Sequence, residues 1–403
     1  MMTFDVTTLR GQFPSLTSGI AHFDGPGGTQ TPRQVGEAVA STLTGPLSNR
    51  GRSVLSERNA DDAVAAFRQA FGDFLGTDPR GIVYGRSATQ IVYDFSRNLA
   101  KGWGPGDEVI VSRLDHDSNI RPWIQAAEAV GATVRWLDFE PATGEVNMAS
   151  LNAMVGPHTR IVAITAASNL IGTKPAVRAV ADAAHAAGAL VWVDGVHHAA
   201  HEFVDMAALG ADFYVCSPYK FLGPHCGVLG AAPALLETVS PDKLLPATNL
   251  VPERFEFGTL PYETMAGATA AVDFISGIAP GLATARRDRL RASYSAIHVH
   301  EMGLRVRVEA ALAELAEWYE MHSRAADRTP TLLATVSGGR SAEVSRFLAS
   351  RDVQAPAGSF YAYEAFMHLG TGDTHGLRIG IAPYNNDDDV NRLIDGLRSF
   401  VGA

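Results

Sequence analysis

Residues 189–227 read ALVWVDGVHHAAHEFVDMAALGADFYVCSPYKFLGPHCG and contain two short apolar runs. The first run, Leu190–Asp194, ends on a carboxylate, and the second, Asp212–Ser217, is followed closely by Lys220. Apolar, β-branched runs of this length, separated by a helical stretch, indicate buried strands of a mostly parallel sheet. Because ligand groups gather at the carboxyl ends of such strands, we expect Asp194 and Lys220 at the same edge.

The alternation of apolar runs with helical stretches extends outward, from about residue 81 to residue 230. Further strands are predicted at Gly81–Tyr84, Glu108–Ser112, Thr133–Leu137 and Arg160–Thr165, and an amphipathic helix at Ala176–Ala187. Apolar residues at helical spacing in Leu282–His322 then indicate one bridging helix or a pair of helices. The final part, Thr331–Ala403, contains strand-like runs and an amphipathic helix at Asp387–Val401.

These patterns predict an α/β fold with a large domain, whose mostly parallel sheet is covered by helices, and a small C-terminal α/β domain. A chain of 403 residues is longer than one typical domain, which agrees with this division. We assign residues 22–280 to the large domain. Residues 1–21 and 281–403 are assigned to the small domain with its bridging helix.

Composition and charge exclude several classes of protein. The hydrophobic content of 46% and the net charge of −10 are those of a globular chain without the basic excess needed to bind nucleic acid or an anionic membrane surface. The N-terminal stretch MMTFDVTTLRGQF lacks the pattern of a secretory signal. Only Cys216 and Cys226 are present, which argues against a disulfide framework. A cytoplasmic protein is expected, and no metal site is predicted.

Lys220 and Asp194 are the first candidates for chemistry. A lysine on a turn after an apolar strand is partly desolvated, which lowers its pKa and makes its amine a better nucleophile toward a carbonyl. A buried carboxylate facing a pyridine nitrogen keeps that ring protonated, so that the ring can accept electrons. The alternative is that Asp194 caps a helix and Lys220 is a solvated loop residue.

Three other motifs follow predicted strands. The turn GRSATQIVYDFS, residues 85–96, opens a helix at which Ser87 and Thr89 could bind a phosphate, although an ordinary helix cap has the same appearance. His116 in RLDHDSNIRPW could stack on a flat ring or be a core histidine. Asn169 in AASNLIGT and Arg378 in GLRIGIAPYNN complete the set, and a guanidinium suits a substrate carboxylate.

The order of these motifs resembles that of the class V aminotransferase family, and most closely its cysteine desulfurase/selenocysteine lyase branch. The similarity runs from about Phe23 to the C-terminus, and VDGVHHAAHEFVDMAALGADFYVCSPYKFLGP is its most specific part. The resemblance implies the fold type I of pyridoxal 5′-phosphate (PLP) enzymes, a small amino-acid substrate, and a homodimer with shared active sites.

The resemblance also implies a role for each matching residue. Lys220 holds the cofactor as a Schiff base, Asp194 pairs with the pyridine nitrogen, and His116 stacks on the ring. Asn169 and His197 flank the phenolic oxygen, and Arg378 binds the substrate α-carboxylate. The phosphate is held by a group of residues that includes one from a second subunit: Ser87, Ala88 through its backbone, Thr89, Ser217, Tyr219 and Thr259 of the neighbour.

The chain departs from the desulfurase branch at four positions. In AGSFYAYEAF, residues 357–366, Tyr361 stands where the branch has a nucleophilic cysteine on a mobile loop, and we assign Tyr361 to substrate binding. Tyr219 stands where the branch usually has a histidine before the lysine, His197 stands where the branch often has a glutamine, and Pro356 stands at the position of a second active-site arginine. The usual acceptor for a persulfide is therefore missing, and a buried structural role is the expectation for Cys226.

The preferred expectation for function is C–S bond cleavage of cysteine, cystine or an S-substituted cysteine by elimination, which needs no enzyme cysteine. Epimerisation, transamination and decarboxylative deamination remain alternatives, because fold and cofactor do not separate them. A sulfur-transfer partner without catalysis is the non-enzymatic alternative. The loops that read the substrate side chain, among which we count Ser48–Ser53 and Gly358–Phe366, cannot be positioned from the sequence.

Overall fold

The computed structural model describes residues 5–281 and 283–402. Three sequence predictions reach beyond them: the N-terminal stretch without a signal includes residues 1–4, the long periodic stretch begins at Leu282, and the small domain ends at Ala403. Those positions lie outside the described residues.

Fifteen strands are found in the described part of the chain. They are β1 Ala21–His22, β2 Ile82–Gly85, β3 Glu108–Ser112, β4 Thr133–Leu137, β5 Phe139–Glu140, β6 Glu145–Val146, β7 Thr159–Thr165, β8 Leu190–Asp194, β9 Phe213–Cys216, β10 Gly227–Ala231, β11 Tyr319–Met321, β12 Thr331–Val336, β13 Val353–Gln354, β14 Ala357–Gly358 and β15 Gly376–Gly380.

Fifteen α-helices are found in the same residues. They are α1 Val6–Arg10, α2 Arg33–Thr44, α3 Leu55–Leu75, α4 Ala88–Ala100, α5 Arg121–Val130, α6 Met148–Met154, α7 Val177–Ala186, α8 His198–His201, α9 Met206–Leu209, α10 Pro233–Thr238, α11 Tyr262–Ser276, α12 Arg286–Glu314, α13 Ser341–Ala349, α14 Tyr363–Leu369 and α15 Asp387–Val401. No helix in the described residues combines the length and the apolar character needed to cross a bilayer.

A seven-stranded sheet forms the centre of the molecule, in the order β2-β10-β9-β8-β7-β3-β4. The five strands from β9 to β4 are parallel, and β10 runs antiparallel to both of its neighbours. Alternate residues of these strands enter different apolar cores: Val191 and Val193 of β8 lie in one, and Trp192 lies in the other. The sheet is therefore buried on both faces, as expected for α/β proteins.

The C-terminal part forms an antiparallel four-stranded sheet, in the order β11-β12-β15-β14, with its own core. Helix α12 connects the two cores, because Leu290 and Tyr294 pack on the large core whereas Leu304 and Val308 pack on the small one. This confirms the α/β fold class and the bridging helix. The domain boundaries at 22 and 281 stay a proposal.

Most predicted elements are found within one or two residues of their expected ends, and the last helix has the predicted bounds. Two features differ. The described residues of the stretch predicted as one helix or a pair, 283–322, contain one helix, α12, which agrees with the first alternative, and then strand β11, which was not predicted. Strand β10 was not predicted, since its sequence GVLGA has low strand propensity. A Cβ atom on Gly227 would lie 2.6 Å from the Ala88 backbone nitrogen, so glycine there lets β10 approach the start of α4.

Candidate active site

A cavity of about 380 Å³ opens where the parallel strands end on polar residues. Its walls include the end of β7 at Thr165, the end of β8 at Asp194 and the turn after β9. The structure brings to this cavity every candidate site residue except Thr259: Ser87, Ala88, Thr89, His116, Asn169, Asp194, His197, Ser217, Tyr219, Lys220, Tyr361 and Arg378. The roles given to them by the resemblance stay proposals.

Lys220 lies in the 3₁₀ turn Pro218–Lys220, directly after strand β9. Its Nζ donates a hydrogen bond to the carbonyl oxygen of Pro26 and lies 4.6 Å from the centre of the Tyr219 ring. Burial and the positive charge of Arg378 lower the pKa of this amine to about 7, against the opposing effect of the Asp194 carboxylate. A large fraction of the amine is therefore neutral, and nucleophilic, near physiological pH.

Asp194 ends strand β8 and is 4% exposed. Its Oδ1 accepts a hydrogen bond of 2.9 Å from the Val196 backbone nitrogen. Burial raises the pKa of this carboxyl to about 6, against the opposing effects of that hydrogen bond and of the Lys220 charge. An acid with this pKa in a cavity is suited to a positively charged ring N–H, which would stabilise its ionised form.

His116 follows strand β3 and forms one side of the cavity. Its Nδ1 accepts a hydrogen bond of 3.1 Å from the Ser118 backbone nitrogen, which leaves the proton of the neutral ring on Nε2. Burial and the charges of Lys220 and Arg378 lower the pKa of His116 to about 4, so the ring is neutral at physiological pH. The Tyr361 ring stacks on it with centroids 5.6 Å apart.

The start of helix α4 also lines the cavity. Ser87 is its N-cap and accepts a hydrogen bond of 3.1 Å from the Gln90 backbone nitrogen. The first backbone N–H groups of a helix have no partner within the helix, and together with the helix dipole they attract anions. With the Ser87, Thr89 and Ser217 side chains beside them, they can bind a phosphate group.

Besides Arg378, which is described below, two polar side chains on the cavity wall carry buried atoms that lack a hydrogen-bond partner among the described residues. They are Asn169, at Oδ1, and His197, at Nδ1. The other ring nitrogen of His197, Nε2, lies 3.0 Å from the Thr329 hydroxyl and 3.1 Å from the Thr331 hydroxyl. Since unpartnered buried polar atoms are costly, both groups are suited to a polar ligand in the cavity.

Arg378 extends from strand β15 of the small sheet into the cavity and is 2% exposed. One terminal nitrogen donates a hydrogen bond of 3.0 Å to the Asn169 carbonyl oxygen, whereas Nε has no partner among the described residues. Burial lowers the pKa of this guanidinium to about 9. A charge that is desolvated and only partly paired is a strong site for a carboxylate.

Several wall residues were not identified from the sequence. Pro26, whose carbonyl accepts from Lys220, belongs to the glycine-rich run GPGG at residues 25–28, which could have been recognised as a close approach of two backbones. Phe360 lies over Arg378, with the guanidinium carbon 3.7 Å from the ring centre, and nothing in its local pattern indicates this contact.

Two predicted elements lie away from this cavity. Thr259 is exposed and does not line it, so its assignment to a neighbouring subunit's site stays a prediction. The loop Ser48–Ser53 is not among the lining residues either. Of the two loops assigned to substrate recognition, only Gly358–Phe366 reaches the cavity, through Phe360 and Tyr361.

Comparison with known proteins supports the reading of the fold. A cysteine desulfurase of Dickeya dadantii is 29% identical over 417 residues, covering 98% of this chain and 96% of that protein. An aminotransferase-like protein of Gibberella zeae is also 29% identical, covering 98% of both chains. The crystal structure of the cysteine desulfurase CsdA of Escherichia coli superposes with a TM-score of 0.85 at 26% identity, covering 99% of both chains.

The two relatives at equal identity carry different names, so these similarities identify a family and leave the reaction open. The family model for class-V aminotransferases matches residues 21–393, nearly the whole chain. This confirms the resemblance found from the motifs, and the enzymes of this family depend on PLP. The chain belongs to the class-V aminotransferase family.

Proposed function

We propose that this protein cleaves the C–S bond of cysteine or of an S-substituted cysteine by β-elimination, with PLP as cofactor. The observation that carries the proposal is the cavity that combines Lys220, Asp194 and Arg378 while no cysteine lines it among the described residues. These three residues supply the amine, the acid and the carboxylate-binding group that amino-acid chemistry on PLP requires. The lack of a thiol at the cavity favours a route that releases sulfur directly.

The residues present fit the cofactor. The amine of Lys220 can react with the aldehyde of PLP, and the carboxyl group of Asp194 can pair with its ring nitrogen. The N-terminus of α4 with Ser87 suits its phosphate, and the unpartnered atoms of Asn169 and His197 suit its phenolic oxygen. When bound, PLP supplies an electron sink for the pair released at the substrate Cα.

Side chains of this protein then bind the substrate and move its proton. Arg378 holds the substrate α-carboxylate and thereby orients the Cα–H bond. Lys220 Nζ, with its pKa lowered to about 7, takes the Cα proton. The Cβ–S bond breaks, and its electron pair leaves with sulfur as a thiolate. With one water molecule the remainder becomes pyruvate and ammonia, so the atoms balance without an oxidant or reductant.

Neither cysteine is suited to receive the departing sulfur. Cys216 is 0% exposed and Cys226 is 1% exposed. Burial raises the pKa of both thiols, so neither forms the thiolate that a persulfide requires. Elimination to free sulfide or a free thiol is consistent with this environment.

We therefore predict that Cys216→Ser and Cys226→Ser, singly or together, leave the rate of C–S cleavage within about threefold of the wild-type rate. Mass spectrometry of the intact protein after turnover should find no added sulfur on either residue. Because serine is more polar than a buried thiol, the melting temperature serves as a control for folding. A persulfide on Cys226, with cleavage lost in Cys226→Ser, would restore a desulfurase with a relocated nucleophile.

Alternatives within the family are epimerisation, transamination and decarboxylative deamination, of which transamination is supported by the equal similarity to an aminotransferase-like protein. Incubating the purified holoprotein with L-amino acids and cysteine conjugates, and identifying the products, separates these reactions. Pyruvate with an equal amount of thiol supports elimination. An inverted Cα, a keto acid that retains sulfur, or released carbon dioxide would each overturn it in favour of the corresponding alternative. No conversion of any amino acid would support the non-enzymatic reading.

We also propose a homodimer in which Thr259 reaches the neighbouring subunit's site. The support is the stretch of sequence that precedes this residue, in which large apolar side chains are exposed. Leu244 is 73% exposed, Leu245 is 97% exposed, and Leu250 and Phe257 are exposed as well. Exposed apolar residues close together in one segment are typical of protein interfaces.

The Asp194→Asn variant tests the carboxyl in two ways. In the folded, cofactor-free wild type the pKa of Asp194 is raised from 3.8 to about 6. Ionised Asp194 therefore destabilises the folded state above about pH 6, and this destabilisation disappears toward pH 4. Asparagine keeps the acceptor for Val196 and removes the charge. Cofactor-free Asp194→Asn should therefore be more stable than wild type at pH 7, by roughly 3 kcal/mol at most, while losing most turnover once cofactor is bound.

Urea unfolding between pH 4 and pH 8 measures the stability difference. The control is Asp182→Asn, which removes an exposed carboxylate paired with Arg178 and should change stability little. Equal stability of Asp194→Asn and wild type at pH 7 would contradict the raised pKa of this acid. Near-normal turnover of the variant with cofactor would exclude the role assigned to it.

A further inference from the structure

The segment between β14 and α14 has an unusual backbone. Phe360 and Tyr361 are consecutive and have φ values of 55° and 57°. The left-handed region is unfavourable for residues other than glycine, and large residues stay in this conformation only where their surroundings hold them. Strained pairs of this kind cluster at ligand sites, and this pair lines the active-site cavity.

Contacts from both sides hold the strained pair in place. The Phe360 carbonyl oxygen accepts a hydrogen bond of 3.0 Å from Asn169 Nδ2, and the Tyr361 carbonyl oxygen accepts one of 2.7 Å from the Asp117 backbone nitrogen. Three residues further on, Glu364 forms ion pairs with Arg113, at 3.0 Å, and with Arg121. The segment is therefore a fixed part of the cavity wall.

The strained backbone directs two aromatic rings toward the groups that matter for an amino-acid ligand. The Phe360 ring covers the Arg378 guanidinium at 3.7 Å, and the Tyr361 ring stacks on His116 with centroids 5.6 Å apart. We call these two rings the aromatic wall. Tyr361 is nevertheless 77% exposed, so much of its apolar surface lies in water at the cavity mouth.

We propose that the aromatic wall selects amino acids whose side chain carries an aromatic or bulky apolar group over those with a small polar side chain such as free cysteine. An amino acid held at Arg378 by its carboxylate extends its side chain beside the wall. A large apolar group there would cover the exposed Tyr361 face and stack on it, whereas a small thiol would leave it in water. The inference rests on the proposed binding of an amino acid at Arg378 and is independent of which bond breaks.

The test uses L-homophenylalanine and L-alanine, neither of which has a leaving group on Cβ, so binding is measured without C–S cleavage. Titrating each into the purified holoprotein while recording the cofactor absorbance gives the two dissociation constants. Tyr361→Asn removes the ring but tolerates a left-handed backbone, and Tyr361→Phe keeps the ring. Tyr363→Ala is the matched control, because Tyr363 is also exposed and does not line the cavity.

Wild type, Tyr361→Phe and Tyr363→Ala should all bind homophenylalanine about tenfold more tightly than alanine. Tyr361→Asn should lose about that factor for homophenylalanine and change alanine binding by less than about twofold. Equal wild-type affinities, or equal weakening of both ligands in Tyr361→Asn, would overturn the aromatic wall. If binding depends on the aromatic wall but S-phenylcysteine is not cleaved, the proposed reaction alone is overturned. If no amino acid changes the cofactor spectrum, both the proposed reaction and the aromatic wall are overturned.

Discussion

Replacing Lys220 by alanine should leave a folded protein that cannot link covalently to PLP and that has no measurable turnover. The amine carries two roles, as the nucleophile for the cofactor aldehyde and as the base for the substrate Cα proton. Loss of a positioned base alone costs roughly 10²–10⁴-fold in rate. The protein should remain folded because burial lowers the pKa of this amine to about 7, which means that the folded state disfavours its charged form.

The chain has four lysines, Lys101, Lys174, Lys220 and Lys243, which makes the covalent link easy to locate. Borohydride reduction of the wild-type holoprotein, followed by peptide mapping, should find the cofactor on the Lys220 peptide alone. Lys101→Ala is the control, since Lys101 pairs at the surface with Asp242 and should retain both the label and turnover. Labelling of another lysine in the wild type would refute the assignment.

The parallel strands of the large sheet could be predicted because each strand is indicated by a pattern in its own stretch of sequence. Each parallel strand is a short apolar run, and Asp194 and Lys220 are separated from their strands by no more than a few residues. Their meeting at one edge then follows from the direction of parallel strands. The antiparallel strand β10 was not predicted because its first glycine, Gly227, serves a close approach to Ala88, a contact between distant parts of the chain.

The rest of the site depends on contacts that no local pattern contains. Arg378 reaches the cavity from the small sheet and binds the Asn169 carbonyl, 209 positions earlier. The Phe360 ring covers Arg378 only because of a left-handed backbone that its residue type does not predict. The role of Thr259 requires a second chain, and so neither sequence nor a single subunit can establish it.

Arg378→Ala should weaken the use of amino acids with a free α-carboxylate by about 2–5 kcal/mol, or roughly 30-fold to several thousand-fold in kcat/KM. The guanidinium is 2% exposed, with a free Nε among the described residues, and burial lowers its pKa to about 9. The molecule therefore keeps a desolvated positive charge in the cavity, and a carboxylate is the partner that offsets this cost.

Removing the Arg378 charge has a second effect, which the experiment must distinguish from the loss of carboxylate binding. Since Arg378 lowers the pKa of Lys220, its loss raises that pKa and leaves less neutral amine at pH 7. Arg378→Lys keeps a positive charge near Lys220 but lacks the planar fork that binds both carboxylate oxygens. If Arg378 binds the carboxylate, Arg378→Lys should still be strongly impaired with amino acids, and both variants should lose much less with the corresponding amino-acid amides. Equal losses for amino acids and amides at every pH would reassign Arg378 to the structural support of Asn169 and the Phe360 segment.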